Sequence, residues 1–74
     1  RRQNMIPLSL AEPGKEQVIK RVGGNAEVRQ HLENLGFVVG GTVTVLSVLK
    51  GNVIVKVKAS RIAIDDGLAR KIMV

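Results

Sequence analysis

Asn25-Ala26-Glu27-Val28-Arg29-Gln30-His31-Leu32-Glu33-Asn34-Leu35-Gly36, continued by Phe37-Val38-Val39-Gly40-Gly41-Thr42-Val43-Thr44-Val45, is the stretch from which the rest of the chain can be read. Val28, Leu32 and Leu35 recur at i, i+4 and i+7 and so share one helical face. Asn25 stands where a side-chain oxygen can accept from a free first-turn amide. Gly36 stands where a left-handed residue ends a last turn. The spacing predicts a helix over residues 26–35. Gly40-Gly41 predicts a tight turn, and strand alternation begins after it. A helix clipped so closely between strands is the mark of a small barrel.

Working outward, residues 17–22 read as a first strand closed by Gly23-Gly24, and residues 8–12 as a helical turn stopped by Pro13-Gly14. Residues 42–49 form a second strand whose pattern switches partway. Val43 and Val45 point one way, then Leu46 and Val48 carry the apolar signal on the other face, which predicts a bulge or bend. Gly51-Asn52 signals a two-residue hairpin. Residues 53–58 alternate cleanly, with Val53, Val55 and Val57 inward and Lys56 and Lys58 outward. Residues 61–64 give a fourth strand, Asp65 can cap a helical turn running through Ala69, and residues 71–74 give a fifth. The reading is therefore mainly β: an SH3-like small barrel of about five strands, with one inserted α-helix and a short C-terminal helical turn. Closure of the barrel would remove exposed strand edges.

With 74 residues the chain has room for one domain, expected over residues 5–74. A chain this short buries only about 60% of its unfolded surface. The absence of cysteine removes disulfides and thiolate metal sites. One Phe, without Tyr or Trp, makes the core aliphatic. The formal charge is +6. Residues 1–4, Arg1-Arg2-Gln3-Asn4, precede a start-like Met5 and read as a disordered or processing remnant; without them ten basic side chains face six acidic ones, +4. The apolar piece at residues 5–11 is too short to span a membrane, so a soluble, cytoplasmic protein without direct membrane insertion is expected.

Leu10, Gly14, Val18, Gly23-Gly24, Arg29, Leu32, Leu35-Gly36, Gly41-Thr42-Val43, Val53, Val55, Ile62-Ala63-Ile64, Ala69 and Ile72-x-Val74 form an ordered series across residues 8–74. That series resembles the FeoA family. Val39 departs from a Pro frequent before the glycine turn, Ala59-Ser60 from a glycine before the fourth strand, and Asp65 from a common basic residue. The resemblance implies an SH3-like fold and a non-enzymatic accessory role beside FeoB, a membrane ferrous-iron transporter with a cytoplasmic GTPase domain. It also implies an alternative, an iron-responsive metal-binding module like the C-terminal domain of iron-dependent repressors. A nucleic-acid-binding barrel is a third reading. Against it, the chain lacks aromatic platforms on which bases could stack.

No catalytic constellation stands out: Ser9, Ser47 and Ser60 have no activating context, and Asp65 and Asp66 read as a cap and a solvated neighbour. No resident cofactor is expected. Glu27 and His31, at i and i+4, are the weak metal candidates; a third ligand is not evident in sequence, and the pair reads as a solvated flank. Gly23-Gly24-Asn25 could cradle a phosphate but lacks a nucleotide-loop signature. Partner binding is assigned to Arg29, Phe37, Val38, Lys56 and Lys58. Lys50, Lys56, Lys58 and Arg61 gather a basic face around the hairpin, and Phe37-Val38-Val39 is an apolar run that meets a partner or closes the barrel mouth. Exposed barrel edges also allow a homo-oligomer.

Overall fold

The helix quoted first forms as its spacing requires. In the computed structural model, which describes residues 5–74, α1 is Ala26–Leu35. Asn25 Oδ1 accepts from the Val28 amide at 2.8 Å. Gly36 takes φ +111°, and the Phe37 amide reaches back to the Leu32 carbonyl at 3.0 Å, closing the helix in a left-handed cap. Leu32 is fully buried, with Val28 and Leu35 packed beside it. The reading of residues 1–4 lies outside the described residues.

Six strands build two antiparallel sheets: β1 (Glu16–Val18), β2 (Arg21–Val22), β3 (Thr42–Leu49), β4 (Asn52–Val57), β5 (Ser60–Asp65) and β6 (Ile72–Met73). The larger sheet has the order β1-β3-β4-β5 and the smaller pairs β2 with β6. A 3-10 turn, Leu8–Leu10, precedes β1, and a four-residue helix α2, Asp66–Ala69, joins β5 to β6. The architecture is SH3-like and mainly β.

The expected first strand is two strands. The Ile19 amide donates to Gly41 O at 2.8 Å while the next amide, Lys20, donates to Met73 O at 2.8 Å. The chain thus changes sheets between adjacent residues, and Ile19 is fully buried at the corner. The bulge in β3 is present: Val45 pairs with Val55 and Ser47 with Ile54, leaving Leu46 unpaired. Val43 and Val45 before it are buried, whereas Val48 and Leu49 beyond it are exposed. The hairpin turn is Lys50-Gly51, one residue earlier than expected, since Leu49 pairs with Asn52.

Val53, Val55 and Val57 are buried as alternation demands. They meet Leu8, Phe37, Ile64 and Ile72 in one aliphatic cluster that contains no buried polar side chain among the described residues. The edges are not fully removed. β1 and β5 end the larger sheet without pairing to each other, so the barrel stays open along β5.

Candidate functional site

Alternation along β3 and β4 sends their odd-numbered valines inward and their polar partners outward. Register then lines up Glu16 with Thr44, Thr44 with Lys56, and Lys56 with Arg61 across four strands. The result is a polar row on the outer face, with neighbours about 4.5–5.5 Å apart at Cβ. At its β1 side lies a shallow notch of about 180 Å³, lined by Glu16, Thr42, Val43, Thr44, Lys56, Lys58 and Ala59. Two hydroxyls and two ammonium groups dominate its rim, and Glu16 supplies one opposing charge. Such a surface favours a carboxylate-bearing partner.

Lys58 is held at the notch by unusual backbone. Lys58 and Ala59 both have positive φ, 52° and 66°, and make the two-residue turn between Val57 and Ser60. Turns of this kind match strand twist but normally use Asn-Gly. The Lys58 stem passes over Gly36, where an added Cβ would lie 3.5 Å from Lys58 Cδ. Its charge therefore sits beside the C-terminal end of α1, where the helix dipole favours a cation.

The other expected partner residues separate. Arg29 is exposed on α1, its guanidinium donating to Gly24 O at 2.9 Å, and it lines neither cavity. Phe37 is fully buried and Val38 half-buried. Phe37 therefore belongs to the core: the helix cap turns it inward under α1, where it cannot touch a partner. Val39, two residues on, is 64% exposed and is the apolar residue of that run which faces solvent. The sequence singled out the run Phe37-Val38-Val39 but assigned Phe37 and Val38 to the partner, because a continuous apolar run has no alternation to show which member points out.

Glu27 and His31 are exposed on α1, and among the described residues no cluster of three or more His, Cys, Asp or Glu side chains forms around them. Asp65 caps α2, accepting from the Leu68 amide at 2.7 Å, and Asp66 pairs with Arg70 at 2.8 Å. A larger hollow of about 370 Å³ lies between the 3-10 turn and α2, lined by Pro7, Ser9, Leu10, Asp66 and Arg70; its two charges satisfy each other. No helix among the described residues is long and apolar enough to cross a membrane.

Comparison with known proteins bears on this geometry. The family model described as the FeoA domain matches residues 6–74. A curated relative from Methanocaldococcus jannaschii, named "Putative Fe(2+) transport protein A", is 39% identical over 70 residues, covering 95% of this chain and 85% of its own. The crystal structure of an iron uptake regulatory protein, FeoA, superposes with a TM-score of 0.86 at 32% identity, covering 95% of both chains. A manganese-dependent transcriptional repressor (TM-score 0.85, 15% identity, 95% of this chain and 40% of that one) shares the fold. So does ScaR crystallised with bound Zn2+ (TM-score 0.80, 23% identity, 92% and 35%). On the family match across nearly its whole length, this chain belongs to the FeoA family.

Proposed function

We propose that this protein is a non-enzymatic accessory of ferrous-iron uptake that docks, in the cytoplasm, on the cytoplasmic part of a FeoB-type transporter. Membership of a family whose relative carries Fe(2+) transport in its name supports the pathway. The observation that carries the docking face is the notch itself: Thr42, Thr44, Lys56 and Lys58 gather on one exposed rim, with Lys58 fixed over the α1 cap. Val39, with Val38 partly exposed beside it, stands with Gly40 at the corners of the turn into Thr42, one residue earlier than expected, where the Gly41 amide donates to Val38 O at 3.0 Å, and adds an apolar anchor. Arg29 offers a second cationic contact on α1. An acidic segment of the transporter, carrying one apolar residue, fits this combination.

The test is affinity of the full chain for the transporter's cytoplasmic domain, compared between the parent and a Lys56→Glu/Lys58→Glu double variant. Docking through the notch should weaken about tenfold or more and lose most of its salt dependence. Equal affinity for parent and variant removes this face from the interaction.

A further inference from the structure

We infer that the open edge of β5 is a self-association surface, on which a second copy of this chain lays its own β5 antiparallel. This stands apart from the docking proposal, because it rests on different atoms. β5 ends the larger sheet. Among the described residues, no backbone group of Ser60–Asp65 bonds to backbone outside its own strand's ladder. The edge is six residues long, pairs with β4 without a bulge, and contains no proline. A strand of this kind presents alternate N–H and C=O groups to any second strand that can match them.

The sequence of the edge selects a copy of itself. Ser60-Arg61-Ile62-Ala63-Ile64-Asp65 is self-complementary when reversed about Ala63. In that register Arg61 faces Asp65 of the second copy, Ile62 faces Ile64, and Ala63 faces itself on the two-fold axis. Opposed residues have the same parity, so their outward backbone groups meet as an antiparallel ladder requires. A shift of the axis to Ile62 sets Ser60 against Ile64 and leaves Arg61 facing Ala63. A shift to Ile64 sets Asp65 against Ala63. Both lose the two charge pairs.

Charge on an edge ordinarily wards off pairing, and a single sign does so best. Here the two signs sit at the ends of the strand in the order that makes them attract. The side chains permit the approach: Arg61, Ala63 and Asp65 are exposed, and the methyl at the axis is small. Asp65 spends one carboxylate oxygen on the Leu68 amide, which leaves Oδ2 for the arginine.

The pairing is isologous and closes as a dimer; β1 against β5 would be heterologous and would propagate. It would join two four-stranded sheets into one of eight. Six residues a side fall well below a standard interface of about 1,600 Å², so the dimer is weak.

The experiment is sedimentation velocity and amide NMR of the full chain from about 20 μM to about 1 mM, the range in which small interfaces dissociate. The expected result is a reversible monomer–dimer equilibrium, with concentration-dependent amide shifts concentrated at residues 60–65. Arg61→Glu and Ala63→Lys should each weaken association by about tenfold or more, since symmetry repeats every clash. Asp65→Asn keeps an α2 cap, folds as the parent does, and should weaken association less. A single monomeric species at every concentration, with unmoved β5 amides, overturns the inference. So does a dimer whose shifts map to another surface, or one that forms equally well in the Arg61→Glu and Ala63→Lys variants.

Discussion

Lys58 and Ala59 hold φ values of 52° and 66° that side-chain-bearing residues avoid. A left-handed backbone costs about 1–2 kcal/mol per non-glycine residue. Ala59→Gly should therefore stabilise the protein by roughly 1 kcal/mol, raising the thermal midpoint by about 4–8 °C. Thermal unfolding followed by circular dichroism measures this; an unchanged or lower midpoint would mean that the turn is not strained. The residues around Gly24 behave in the opposite sense. Gly24 has φ +97°, and an added Cβ would lie 2.9 Å from Val28 Cγ1, so Gly24→Ala should destabilise through both strain and overlap. At the same scale Phe37 and Val39 show how an apolar run divides. Docking should weaken for Val39→Ser and leave the midpoint nearly constant, while Phe37→Ala should cost about 3–5 kcal/mol of stability. Binding and melting measurements on the same two variants separate these roles.

Among the elements, α1 is the one whose bounds, cap, stripe and stop were all legible. Its cap, stripe and stop are local signals, and local signals do not depend on what the helix packs against. Leu32→Ala should lower global stability by about 2–5 kcal/mol, and Asn25→Ala by about 1 kcal/mol. Chemical denaturation gives both, and a larger loss at Asn25 than at Leu32 would contradict the packing described. The bulge at Leu46 was also legible, because its face switch is written in the order of the apolar residues. The split of the first strand was not. Residues 17–22 carry no glycine or proline, and the change of sheet is enforced from outside by Gly41 and Met73, which accept from adjacent amides. The hairpin slipped by one residue for a related reason: Gly51 fixes where positive φ can occur, but not whether it stands first or second in the turn. Candidate site residues followed the same divide. Lys56 came from clean alternation in β4, and Lys58, read as the end of that strand, belongs to the turn after Val57; Thr42, Thr44 and Glu16 reach the notch through register between strands distant in sequence. Arg29 met its carbonyl partner five residues back, a contact that spacing alone does not announce.

For the whole molecule, two surfaces of different character follow from one sheet. The notch is offered by the outer face near β1, and self-pairing by the edge of β5 at the sheet's other end. A dimer formed on β5 would leave both notches on the outer face of the joined sheet, each reaching from β1 to the β4–β5 turn and off the paired edge. Docking and self-association should then be compatible, and Ala63→Lys should weaken dimers about tenfold or more while leaving Lys56-dependent docking within about threefold of the parent, since Ala63 pairs with Ile54 and does not line the notch. Analytical ultracentrifugation and binding isotherms on that variant check both halves. Docking of this FeoA-family chain through the Lys56/Lys58 rim is the function proposed for it. Its most direct test is amide NMR of the isotope-labelled full chain titrated with the cytoplasmic GTPase domain of a FeoB-type transporter. Saturable shifts are expected at Thr42, Thr44, Lys56 and Lys58 and around Val39, and are lost in the Lys56→Glu/Lys58→Glu variant. Saturable shifts confined to another face, or a spectrum unchanged at an excess of that domain, would contradict it.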